Sequence, residues 1–252
     1  MSDAFDTGLN RTGIATSPID SPDVLKGAQV GLPVHSSVGR DAAAARRELA
    51  REAEPIGHVP LPASLKGMAK TAMTALKGEK ASVFIDKLGE RLAFERSGTR
   101  LYELVLLKGE AYPTWEGGPA IAELREHHDE ELAHFGLLQE CLTQLGADPT
   151  AMTPSADLAI NLSIGLPQVL SDPRTSLREC LEGVLIAELA DNACWETLIE
   201  LARELGQSEM ATRFEHALRN EQQHLRRVQG WVRTAVLNAA TPRRQDDRPA
   251  AH

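Results

Sequence analysis

Four stretches of the chain carry apolar residues at steps of three and four, the spacing that lines one face of an α-helix. Residues 82–108 align Ile85, Leu88, Leu92, Tyr102 and Leu106, and residues 120–145 align Leu124, Leu138 and Leu145. Residues 175–205 align Leu181, Val184, Trp195, Ile199 and Ala202, and residues 209–237 align Phe214, Ala217, Val228, Trp231 and Ala235. Each stretch predicts a long helix with one buried face. The Gly/Pro-rich GEAYPTWEGGP separates the first two and LGQSE the last two, so each pair is expected to be an antiparallel hairpin. After Gly146 the chain passes Pro149, Pro154, Pro167 and Pro173, a connection long enough to return along a bundle, with a short helix expected at 155–164. Asp172 or Thr175 stands where the third long helix needs a cap. The pattern predicts an all-α fold: an antiparallel four-helix bundle with one long crossover between helices two and three.

Outside the bundle, expected at 81–238, the pattern weakens. Residues 1–60 are rich in Gly, Pro, Ser and Asp and read as an extended N-terminal arm, briefly helical at 40–54. Residues 61–80 read as a short amphipathic helix, with Leu65, Met68, Ala69, Ala72 and Leu76 opposite Lys66, Lys70 and Lys77. Residues 239–252 read as a disordered tail.

In each long helix the apolar face is broken near its middle by ionisable residues: Glu95, then Glu131 and His134, then Glu188, then Glu221 and His224. An unpaired carboxylate moved into a core costs several kcal/mol, so four facing one another demand compensating positive charge. Two divalent cations cancel four glutamates, with neutral imidazoles completing the coordination. E-x-x-H, in EELAH and EQQH, occurs twice, and residues three apart share a helix face and reach the same ions. Glu131 follows Glu95, and Glu221 follows Glu188, by nearly equal steps, as expected of one hairpin unit used twice. Carboxylate with imidazole suits iron or manganese better than zinc.

Composition narrows the classes. A net charge of −9 in 252 residues gives no electrostatic case for nucleic-acid binding. No run of apolar residues is long enough to span a bilayer, and MSDAFDTGLNRTG lacks the order of a secretory signal. Three cysteines without a C-x-x-C pair fit a reducing, cytoplasmic setting.

A glutamate on helices one and three, E-x-x-H on helices two and four and a single crossover form the pattern of the ferritin-like di-iron carboxylate proteins. More narrowly, RLAFERSGTRLYE with EELAHF resembles the rubrerythrin-related bacterial ferritin-like proteins, over about residues 82–237. The resemblance implies that Glu131 and Glu221 bridge two iron ions, that Glu95 and Glu188 are terminal ligands, and that His134 and His224 each ligate one ion. It implies catalysis through those metals, with ferrous iron reacting with O2 or H2O2. The paired C-x-x-C motifs of a rubrerythrin are missing, so electrons are expected from an external donor or from Fe(II) itself.

Three further residues lie near this set. His127, one turn before Glu131, is either a seventh ligand, a partner orienting a carboxylate, or a hydrogen-bonded histidine at the core's edge. Asp191 either ligates, holds a ligand such as His224, or faces solvent. Tyr102 is a radical or proton relay near the metals, or simple packing. A homodimer is expected, and the arm is a candidate for docking a partner. Metal storage or handling is the alternative function, along with delivery as a docked cargo.

Overall fold

The computed structural model describes residues 36–59 and 79–241, with positions 22 and 26 as isolated points. The rest of the arm, most of the amphipathic helix expected at 61–80 and the tail from residue 242 lie outside the described residues. Among the described residues there are seven helices and no strand. None of these helices is long and apolar enough to cross a membrane.

The first helix, α1 (Ser36–Glu52), belongs to a separate N-terminal unit ending at Pro55. It is longer than the 40–54 stretch suggested, and Leu49 on it is exposed.

The second unit holds four long helices: α2 (Glu79–Ala111), α3 (Ile121–Gln144), α6 (Leu177–Glu204) and α7 (Ser208–Ala240). Between α3 and α6 lie two short ones, α4 (Pro154–Ser163) and α5 (Gly165–Ser171). Helices α2 and α3 pack as one hairpin and α6 and α7 as the other.

Two apolar layers hold the four helices together. One contains Phe84, Leu88, Leu138, Trp195, Leu198 and Phe214; the other contains Val105, Leu124, Leu181, Val184, Val228 and Trp231. Helices α2 and α7 run from the first layer to the second, while α3 and α6 run from the second to the first. Because α3 and α6 point the same way, the chain between them must travel back along the bundle, and α4 and α5 do so. The crossover is tied to α2 at both ends. Asp86 accepts from the Ser155 backbone N–H at 2.9 Å and from its hydroxyl at 2.6 Å, and Lys108 Nζ donates to the carbonyls of Asp172 and Thr175 at 2.6 Å each.

Two local expectations change. Helix α5 was not expected, because Pro167 reads as a breaker; the proline sits in the first turn, where its missing N–H has no intrahelical acceptor to lose. The cap of α6 is Ser176, whose N–H donates to Glu179 at 2.6 Å, rather than Asp172 or Thr175. Asp172 is engaged by Arg174, and the Thr175 hydroxyl donates to the carbonyls of Val169 and Asp172. The turn from α6 to α7 needs Gly206 at φ +71°, the left-handed region that favours glycine.

Candidate metal centre

Between the two apolar layers the helices bring six ionisable side chains together: Glu95 from α2, Glu131 and His134 from α3, Glu188 from α6, Glu221 and His224 from α7. None is more than 4% exposed. Their ligand atoms form two groups in which all lie within 4.8 Å of one another: Glu131, Glu188, Glu221 and His224, and Glu95, His134 and Glu221. Glu221 belongs to both groups, and Glu131 to the first.

The atoms that face inward lack hydrogen-bond partners. Glu95 Oε2, Glu188 Oε2, both oxygens of Glu221 and the Nδ1 atoms of His134 and His224 are buried and unsatisfied. His134 Nδ1 stands 2.6 Å from Glu221 Oε1, yet the two are not aligned as donor and acceptor. His224 Nδ1 stands 3.3 Å from Glu221 Oε2 and 3.6 Å from Glu131 Oε1. Buried polar atoms are nearly always paired, so converging lone pairs are what a cation-binding core presents.

The outward-facing atoms, by contrast, are held. Arg91 donates to Glu95 Oε1 at 3.0 Å and also pairs with Asp191. Tyr102 Oη donates to Glu188 Oε1 at 2.5 Å, and His127 Nδ1 lies 3.0 Å from the same phenol oxygen. His224 Nε2 lies 2.7 Å from Glu130 Oε2. Asn192 donates its amide to the carbonyls of Glu188 and Glu221, fixing α6 against α7 at the level of the site.

Titration follows this crowding. With no cation between the carboxylates, burial opposes charge on His134, yet Glu221 and Glu95 outweigh it and raise its pKa to about 10. His224 is likewise raised against burial, by Glu130, Glu131 and Glu221. Burial and the neighbouring Glu221 push Glu131 up to about 8, and the same two causes raise Glu188. His127 is lowered to about 2, first by burial, then by His224 and Arg227. That favours its neutral form, and the ring stacks 4.0 Å from His224 and 5.3 Å from Trp231.

His127 thus lies in the core beside the six, outside both ligand groups, with Arg227 Nη1 3.3 Å from its Nε2. Asp191 neither faces solvent nor reaches His224; it is buried against Arg91. Tyr102 holds a carboxylate of the set. Arg91 and Glu130 were missed. Arg91 stands three residues after Leu88 and four before Glu95, on the face already read as buried, so its placement was available from helical spacing. Glu130 carried no such signal: it leaves the buried face, and its reach to His224 depends on how α3 packs on α7.

Residues 114–236 match the family of ferritin-like domains. The match spans α3, the crossover, α6 and most of α7, while α2 with Glu95 is added by the structure. A solved structure of a ferritin-like, diiron-carboxylate protein from Bacillus anthracis str. Ames is similar at 18% identity and a TM-score of 0.47, covering 62% of this chain and 99% of that one. No curated protein matches the chain. With two hairpins joined by a crossover and four glutamates and two histidines at their centre, the chain is similar to the ferritin-like domains over the residues that match.

Proposed function

We propose that this chain is a di-metal oxidoreductase of the rubrerythrin-like kind, in which two ions, iron by preference and manganese as the alternative, react with O2 or H2O2. The observation that carries the reading is the set of buried, unpaired ligand atoms converging from four helices. The charge fits as well. Arg91 and Asp191 add no net charge, leaving four glutamates whose charge two divalent ions balance. A pair of redox-active ions bound there supplies electrons to a small oxidant.

The chain's own part is to hold, orient and enclose. Arg91 and Tyr102 each fix one oxygen of a terminal carboxylate and leave the other turned inward. The apolar layers on either side keep water out. A narrow cleft lined by Phe94, Gly98, Val184 and Ala187 reaches Glu131 and Glu188, with room for about one water-sized molecule. That favours O2 or H2O2 over an organic substrate. Electrons would come from Fe(II) or an external donor.

The test is metal content per chain after growth in iron, then anaerobic reduction and stopped-flow mixing with O2 or H2O2. About two irons per chain, as two-metal sites hold, and a fast, oxidant-specific absorbance change are expected. Glu221→Ala should lose both ions, Glu131→Ala the ion it would hold with Glu188 and His224, and the exposed Glu103→Ala neither. Equal metal in all three variants would refute the assignment.

A further inference from the structure

We propose that the two ions are held unequally, with a resident ion among Glu131, Glu188, Glu221 and His224 and an exchangeable ion among Glu95, His134 and Glu221. This rests on the two-metal reading and concerns how the chain divides the site.

Three independent features point the same way. The first is the donor set: one group offers three carboxylates and an imidazole, the other two carboxylates, one of them shared, and an imidazole. Each added carboxylate brings a further negative charge to a divalent ion in a low-dielectric core.

The second is what stands behind each imidazole. His224 turns Nδ1 to the carboxylates while its Nε2 lies 2.7 Å from the Glu130 carboxylate. An outer carboxylate fixes a ligand's tautomer and raises its basicity. His134 also turns Nδ1 inward, but among the described residues its Nε2 has only the Asn220 amide, at 3.5 Å. That contact is long and carries no charge.

The third is what stands behind each terminal carboxylate. Glu188 Oε1 accepts from the neutral phenol of Tyr102, whereas Glu95 Oε1 accepts from the guanidinium of Arg91. A fixed cation draws electron density from the carboxylate it touches and repels a metal on its far side. Asp191 offsets part of that charge, but the hydrogen bond to Glu95 remains.

The experiment is a cobalt(II) titration of chelator-stripped protein, followed by visible absorption, with bound metal counted at each step. Two steps are expected, the tighter at least about tenfold stronger, on the scale of outer-partner effects on metal affinity. Glu95→Ala should keep the tighter step and lose the weaker. Glu130→Ala, at a partly exposed position where folding is not at risk, should weaken the tighter step by about ten- to a hundredfold and leave the other in place. Glu130→Gln, which keeps an acceptor without its charge, should fall between. Circular dichroism of each variant checks that the helices are retained. A single step filling both sites equally, loss of the tighter step in Glu95→Ala, or equal weakening of both steps in Glu130→Ala would overturn the inference. No cobalt bound to the parent protein would overturn the two-metal reading itself, and this inference with it.

Discussion

A methyl group added to Gly98 would stand 2.1 Å from Glu131 Oε2, so the carboxylate of α3 occupies space that α2 leaves by having no side chain there. Glycine inside a helix costs about 1 kcal/mol relative to alanine. Gly98→Ala therefore favours α2 in isolation and displaces Glu131 in the folded bundle. Metal affinity is expected to fall by at least about tenfold, as for other disturbances of ligand orientation, with helix content unchanged by circular dichroism. Undiminished metal content in Gly98→Ala would show that Glu131 does not bind from this position.

Arg91 is 1% exposed and its guanidinium lies 4.5 Å over the Phe94 ring, paired with Asp191 and Glu95. Removing one partner of a buried ion pair costs about 3–5 kcal/mol, because the other charge is stranded. Arg91→Met should destabilise the metal-loaded protein on that scale in urea unfolding. Arg91→Met with Asp191→Leu should recover part of the loss, since both charges leave together. A double variant as unstable as the sum of the two single ones would mean that the pair is not coupled.

How legible the site was depended on whether its signal lay along one helix or between helices. Glu95, Glu131, His134, Glu188, Glu221 and His224 stood out because each interrupts an apolar face, and burial makes such interruptions costly. The crossover was readable from the length and prolines of the segment after Gly146. Its second helix was not, because Pro167 means one thing inside a helix and another in its first turn. The role of Asp191 was left open because its partner, Arg91, comes from a helix far away in sequence. Glu130 was out of reach for the same reason: its contact with His224 is made by the packing of α3 against α7.

Tyr102 joins two groups that have no other use for it. Burial and the neighbouring Glu188 push its phenol well above the usual range, so it remains a donor to Glu188 Oε1 while His127 Nδ1 lies at its oxygen. Tyr102→Phe keeps the ring and removes the hydroxyl. A buried group left unpaired costs about 1–3 kcal/mol, and here there are two. The midpoint of urea unfolding is expected to drop, with m unchanged. An unaltered midpoint would show that water replaces the phenol at little cost.

The same crowding makes metal binding and proton release a single event. In the metal-free protein His134 has its pKa raised to about 10, against burial, by Glu221 and Glu95, and Glu131 is raised to about 8 by burial and Glu221. A group whose folded pKa lies above its unfolded value contributes stability that is complete below the unfolded pKa and is lost as pH rises through the folded one. For Glu131 that window runs from 4.5 to about 8, and for His134 from 6.5 to about 10. His127, lowered to about 2 by burial, acts the other way, and its contribution is lost only as pH falls below 6.5. Above pH 6.5, then, the metal-free protein should lose stability with rising pH, by up to ~1.4 kcal/mol per pH unit for each group within its window. Bound ions replace the protons, so the metal-loaded protein should escape that loss, and the gap between the two melting temperatures should widen from pH 6.5 to 9. Cobalt binding at pH 7 should correspondingly release protons, read in calorimetry as a heat that changes with the ionisation enthalpy of the buffer. A heat independent of buffer, with parallel melting curves, would mean that neither His134 nor Glu131 carries a proton before the metal arrives.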